Sequence, residues 1–332
     1  MKIITFEEHH DDPDICTAVM KAINNLPPNR RALYTLPPSF SQDLNPIFDV
    51  GEGRISAMDA GGIDMQVSGC GGNGFNLQLV NPREAAALCI PANDRFADVV
   101  KQYPTRFAGF ATLPTNNPEA ATLELERCVE KLGFKGAMIP CVTNGRMIDH
   151  PDFTSLLQMA NDLEVPLYLH PTIVMDDVQS SYYKGINPAL DFIFAGPGYG
   201  WHIETGISTL RLILSGGFEK YPNLHIIIGH WGELLPYYME RIDYIFSQQI
   251  TKLPLQISEY FKAHVYITPS GMFYNNPFEL CMKTIGVDNI LYAVDYPYIK
   301  CHGARTFLEN ANITSGDKEK IGHSNAEELL KL

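Results

Sequence analysis

A chain of 332 residues, 45% hydrophobic and 19% charged, can bury a large core, either as one big domain or as two smaller ones. Its formal net charge of −13, with no basic run, excludes the clustered Lys and Arg that hold nucleic acids and anionic membranes, so small molecules are the expected partners. Seven scattered cysteines, odd in number and without a CxxC pair, indicate neither a disulfide framework nor a sulfur-ligated zinc site.

The opening MKIITFEEHHDD lacks a basic stretch followed by an apolar run of about 7–15 residues, so it does not read as a secretory signal. No apolar stretch reaches the ~18 residues of a membrane span, and a cytoplasmic location is expected. Short apolar, β-branched runs then alternate with helical patterns, the signature of parallel strands joined by crossover helices. Eight runs read as strands: 2–7, 65–69, 107–113, 136–139, 166–170, 224–229, 263–268 and 289–294. Helical spacing is predicted over 82–102, 117–132, 152–163, 206–220, 235–246 and 277–285. Eight strands alternating with helices predict a single (β/α)8 TIM barrel over residues 1–332. An open doubly wound sheet would carry a GxGxxG between a strand and a helix, whereas Gly71-Gly72-Asn73-Gly74 reads as a turn.

Two connections exceed simple turns, one after strand 1 and one after strand 5. The first, 11–53, is rich in proline (Pro13, Pro27, Pro28, Pro37, Pro38, Pro46). The second, 172–204, carries Tyr182, Tyr183, Phe192, Phe194, Tyr199 and Trp201. Both follow strands, on the face where barrel enzymes place their sites, and read as pocket walls and lids. The aromatics would serve equally well as packing residues between subunits.

The residues able to do chemistry cluster at strand ends. The first strand ends in Phe6-Glu7-Glu8-His9-His10, in which Glu7 and His9 share one face and Glu8 and His10 the other; the alternation does not say which pair faces inward, and a solvated acidic turn is the bland alternative. The fifth strand ends in His170, the sixth in His230 with Glu233 three residues on, and the eighth in Asp295 after an apolar run. A carboxylate at the end of a buried strand is costly unless paired or metal-bound. Nitrogen and oxygen donors without sulfur suit Zn²⁺ or Mn²⁺, with Zn²⁺ the first expectation.

The stretches FEEHH, RISAMDAGGIDMQV, VPLYLHP, GYGWHIETGISTLRLILSGGFEKYPNLHIIIGHWGELLPYYMERID, AVDYPY and IGHSNAEELLKL resemble the amidohydrolase superfamily. Within it they are similar to the branch of γ-resorcylate, 2,3-dihydroxybenzoate, 5-carboxyvanillate and aminocarboxymuconate semialdehyde decarboxylases. The resemblance implies Glu7, His9, His170 and Asp295 as ligands of one divalent ion, choosing Glu7 and His9 over Glu8 and His10. It places His230, with Glu233 and Arg241 near it, in a catalytic group around Asp295. Binuclear members bridge two metals with a modified lysine at the end of strand 4; here that strand reads GAMIPC and Lys135 lies at its other end, so one ion is expected.

The implied reaction is loss of CO₂ from a small aromatic hydroxy-acid. Asp295, sharing a proton with His230, protonates the ring carbon; Glu233 orients His230 and Arg241 tunes the carboxylate. Glu8 is expected to tolerate amidation without loss of the metal. The alternatives are a mononuclear hydrolase of an amide or lactone, using the same residues to activate water, and a binding protein without catalysis. The resorcylate enzymes carry an Asn at the strand-4 end where this chain has Pro140-Cys141, which leaves the substrate open. A homodimer or homotetramer is expected.

Overall fold

The computed structural model describes residues 1–34 and 45–332; Pro37 and Pro38 of the first connection lie outside the described residues. Its strands are β1 (Ile4–His10), β2 (Met65–Cys70), β3 (Phe107–Gly109), β4 (Ala111–Thr112), β5 (Ala137–Pro140), a small hairpin of β6 (Val142–Thr143) and β7 (Arg146–Met147), β8 (Leu167–His170), β9 (Ile226–Ile228), β10 (Val265–Ile267) and β11 (Tyr292–Ala293). They form parallel sheets in the orders β11-β1-β2-β3 and β10-β9-β8-β5-β4, with the hairpin alone antiparallel. β3 and β4 are one predicted strand interrupted at Phe110, and a parallel bridge joins Ile267 to Ile290, just before β11. All eight predicted strands are therefore present in a parallel α/β scaffold.

Period-two alternation sorts the side chains into two layers. Ile4, Phe6, Met65, Val67, Ala108, Phe110, Met138, Tyr168, Ile227, Leu291 and Ala293 pack against one another, with Ala326, Leu329 and Leu330 of the C-terminal helix Asn325–Leu330. Their neighbours Ile3, Phe107, Leu167, Leu169, Ile226, Ile228, Tyr292 and Val294 join the larger core beneath the helices. Both faces of the strands are buried, which is why they read as continuous apolar runs.

The predicted helix over 82–102 is observed as Pro82–Gln102, starting from Asn81, whose side chain accepts from Arg83 N. The first connection is not all loop. Asp12 caps a helix, Pro13–Asn24, by accepting from Asp14 N and Ile15 N, and the helix buries Ile15, Val19 and Ile23 along one face. The second connection is also partly helical, at Asp176–Val178, Gln179–Tyr183 and Pro188–Ala195.

The helix predicted from Gly206 begins at Gly200 and runs to Leu214. Gly206 is a contact point rather than a helix start: a Cβ there would lie 2.7 Å from the Glu233 carbonyl oxygen. Gly206→Ala should therefore push the helix off the chain segment carrying His230 and Glu233. We expect a loss of about 1–3 kcal/mol, measured by chemical denaturation.

Candidate metal and proton-transfer site

A β-bulge decides which strand-1 residues face the site. The β1–β2 register shifts between Thr5 and Glu8, and Glu7 sits at φ 55°. Ile4 and Phe6 point into the inner layer, so unbroken alternation would send Glu8 and His10 after them. The bulge reverses the parity. Glu7 and His9 turn to the centre, while His10 stacks on Phe96 of the helix layer at 3.9 Å between ring centroids and bonds Ser68.

Glu7, Glu8 and His9 are fully buried, which removes the solvated-turn reading. One oxygen of Glu7, Oε2, accepts the hydroxyls of Tyr168 and Ser270; Oε1 has no hydrogen-bond partner and lies 3.6 Å from His170 Nε2. His170 stacks on Phe75 with centroids 4.0 Å apart, and its Nδ1–H donates to the Pro171 carbonyl at 2.6 Å, leaving Nε2 free. His9 Nε2 lies 3.0 Å from Asp295 Oδ1, yet neither atom makes a hydrogen bond. The two are close without being aimed at each other, as atoms directed at a common third point would be.

Ligand atoms about 2.1 Å from one ion lie roughly 3–3.5 Å apart, close to the 3.0 and 3.6 Å separations seen here. Among the described residues, Glu7, His9 and His170 also form one of two donor groups compact enough to hold an ion. The set fits a single divalent metal.

Electrostatics point the same way. Burial raises the Glu7 carboxyl, partly offset by His230, and lifts Asp295 to about 7 against the pull of His230 and His202. Burial lowers His9 to about 4 and holds His170 well below the ordinary imidazole range, with His9 and His230 adding to the effect. Neutral imidazoles beside desolvated carboxylates are an incomplete set that a cation completes.

The second donor group is His202, His230 and Glu233. After β9 the backbone makes a left-handed turn, with φ 50° at His230, 58° at Trp231, 81° at Gly232, 52° at Glu233 and 66° at Leu234. This turn sets His230 and Glu233 on one side, with His230 Nδ1 2.8 Å from Glu233 Oε1. The other oxygen, Oε2, lies 2.8 Å from His202 Nδ1. Burial works to raise Glu233, but the two imidazoles outweigh it and hold the carboxyl below its ordinary value. Burial works to lower His230, and the charges of Glu233 and Glu7 overcome it, lifting it to about 10.

His202 was not singled out from sequence, although it stands in GYGWHIETG; a histidine opening a helix after an aromatic loop carries no motif of its own. Arg241 is not brought to this group. On Leu235–Ile245 the buried face is Leu235, Met239 and Ile242, and Arg241 is exposed on the opposite side with Tyr237, Tyr238 and Tyr244. His202, not Arg241, is the second group bonded to Glu233. Cys141 is buried at the end of the predicted fourth strand, and burial pushes its thiol up to about 12.

Glu8 is a clamp. Its carboxylate accepts from Val294 N at 2.9 Å, Tyr296 N at 3.2 Å and Gln66 Nε2 at 3.1 Å, so it brackets Asp295, whose φ is 68°.

The chain belongs to the amidohydrolase family, whose model matches residues 34–332. Its relatives include several decarboxylases. The γ-resorcylate decarboxylase of Polaromonas sp. is 35% identical over 296 residues, covering 86% of this chain and 89% of that protein. A decarboxylase of Emericella nidulans is 31% identical over 338 residues, covering 99% of this chain and 97% of that one. Among solved structures, 5-carboxyvanillate decarboxylase from Novosphingobium aromaticivorans, with bound manganese and 3-methoxy-4-hydroxy-5-nitrobenzoic acid, superposes with a TM-score of 0.90 at 32% identity, covering 100% of this chain and 97% of that one.

Two outcomes follow. Glu8→Gln keeps only one good acceptor for two backbone donors, so it should lower stability by about 1.5–3 kcal/mol and loosen Asp295, read as a lower melting temperature with reduced metal content. The second concerns pH. Asp295, raised to about 7, and Glu8 and Glu204, raised to about 8 and about 7 by burial, bind protons more tightly folded than unfolded. Their contribution to stability is present below the unfolded carboxylate range and is lost as pH rises through the folded values. The metal-free chain should therefore melt at progressively lower temperature from about pH 6.5 to 8, with divalent metal restoring stability most at the alkaline end.

Proposed function

We propose that the chain is a single (β/α)8 barrel, closed through the Ile267–Ile290 bridge, acting as a metal-dependent, non-oxidative decarboxylase of a small aromatic hydroxy-acid. Glu7, His9, His170 and Asp295 are the metal ligands; Asp295, His230 and Glu233 handle the proton. The observation that carries this reading is a pair of adjoining clusters: buried donor atoms of Glu7, His9 and Asp295 without hydrogen-bond partners, beside a His230–Glu233 pair joined through Nδ1. Decarboxylases at 31% and 35% identity set loss of CO₂ ahead of hydrolysis. Two imidazole nitrogens and two carboxylate oxygens suit Zn²⁺ and Mn²⁺ alike; the manganese in the Novosphingobium enzyme puts Mn²⁺ first.

When bound, the ion supplies positive charge that holds the substrate's carboxylate and an adjacent oxygen. Asp295, whose carboxyl burial raises to about 7, can take up a proton near neutral pH and delivers it to the ring carbon bearing the carboxylate. The C–C bond then breaks, its electron pair restores the aromatic ring, and CO₂ leaves. His230 restores the proton to Asp295, with Glu233 fixing the imidazole through Nδ1. The segment 172–199 forms a lid over the ring, in which Tyr183, Phe194 and Tyr199 pack edge to face and stacked. The exposed Tyr237, Tyr238, Tyr244 and Ile245 beside Arg241 support self-association through this helix.

Two measurements test the proposal. Purified protein should contain about one divalent ion per chain and release CO₂ from at least one member of a hydroxybenzoate panel; His170→Ala should lose most of the metal. Asp295→Asn should cut kcat by about 10²–10⁴-fold with the melting temperature preserved, and near-normal CO₂ release would remove Asp295 from proton transfer.

A further inference from the structure

We infer that Trp201 and His202 form a positioning relay which lets the seating of the lid segment set the hydrogen-bond register of Glu233, and through it that of His230. This inference deepens the decarboxylase reading but rests on its own geometry.

The Trp201 indole is gripped by lid residues: it lines a small cavity with Val174, Gln179, Phe192, Ala195 and Gly196. Its Nε1–H donates to His202 Nε2 at 3.0 Å. His202 Nδ1 is 2.8 Å from Glu233 Oε2, and His230 Nδ1 is 2.8 Å from Glu233 Oε1. The carboxylate thus joins two imidazoles whose centroids are 4.3 Å apart.

The neutral ring of His202 has two possible registers. In the first, Nε2 accepts from Trp201, the ring hydrogen sits on Nδ1 and points at an ionised Glu233. In the second, the hydrogen sits on Nε2 and donates to the Pro197 carbonyl, 3.2 Å away. Nδ1 would then need a donor, which only a protonated Glu233 could supply. An indole nitrogen donates and cannot accept, so Trp201 Nε1–H would face another N–H in the second register. The tryptophan therefore selects the first. An anionic Glu233 with two donors is what keeps the Nδ1 hydrogen of His230 in place and directs its other nitrogen to the reaction. If the lid lifts and carries the indole away, the second register opens: Nε2 takes up a proton from solvent, the Nδ1 hydrogen passes to Glu233, and His230 loses its charge partner.

The test uses ¹⁵N-histidine-labelled full-length protein without added metal, in which ring-nitrogen shifts report the tautomer directly. The His202→Asn variant identifies the His202 signal by its disappearance. In the parent protein His202 should read as protonated on Nδ1 and bare on Nε2; Trp201→Phe, which keeps the ring packing and deletes the donor, should shift the hydrogen toward Nε2. A Trp201→Phe spectrum unchanged at His202, or a parent protein already protonated on Nε2, would overturn the relay. Kinetics give the second readout. Trp201→Phe should lower kcat by about 3–10-fold with KM nearly constant. His202→Asn, whose amide N–H replaces Nδ1–H toward Glu233, should retain most of kcat, whereas His202→Leu should not; equal loss in both would assign His202 a packing role and also overturn the relay. Should Trp201→Phe fail to fold, the His202→Asn and His202→Leu contrast decides alone. Failure of the decarboxylase reading shows separately, as absent CO₂ release from a parent protein that still has the predicted tautomer.

Discussion

The structure depends on the burial of Glu7. A fully buried carboxylate costs several kcal/mol unless its charge is answered, and here only one of its oxygens is satisfied within the chain, by Tyr168 and Ser270. The other oxygen has no hydrogen-bond partner, the gap a cation would fill in the proposed reading, and the residues around it are held firmly. His9 is pinned between Phe75, His170 and Tyr298, and Gly71 leaves no Cβ where one would lie 2.4 Å from His9 Nδ1. The backbone shares the cost: Glu7, His230, Ser270 and Asp295 all adopt positive φ at strand ends. Left-handed residues cost roughly 1–2 kcal/mol each, so this face is strained while the two-layer core beneath it supplies the stability.

Two neighbouring clusters of similar residues are driven to opposite protonation states. In the first, burial dominates, lowering the two imidazoles and raising the Glu7 carboxyl. In the second, Glu233 couples directly to two imidazoles, so it stays ionised while His230 stays charged. Asp295 lies between these regimes, near 7, because burial and the nearby histidines oppose each other. Carboxylates pushed apart in this way can divide the work of binding a metal and moving a proton.

The scaffold was legible in the sequence because parallel strands buried on both faces announce themselves as apolar runs. The catalytic strand ends were legible because polar residues there break those runs. What was not legible involved tertiary contacts. Alternation from Phe6 would have pointed Glu8 and His10 inward, and only a bulge at Glu7 reverses it; the family resemblance, not the pattern, chose the pair that the bulge turns to the centre. Helix Pro13–Asn24 was hidden in a proline-rich connection because Pro13 starts it rather than breaking it. Gly206 looked like a helix start because its close approach to Glu233 leaves no trace in the local sequence. Arg241 follows the motif closely in sequence, but the left-handed turn at His230–Leu234 sends its helix away with that side chain outward.

The same geometry bears on how many ions the proposed site would hold. A second ion would need donors at the end of the predicted fourth strand, where the chain offers Pro140 and a Cys141 thiol that burial keeps protonated. Lys135, at the other end of that strand, is half-buried and donates to the Lys331 carbonyl at 3.3 Å. The remaining compact donor group, His202–His230–Glu233, spends its inner atoms on two 2.8 Å hydrogen bonds, so an ion there would have to break both before gaining a ligand. Free donor atoms mark the place for charge, and satisfied ones mark the place for protons.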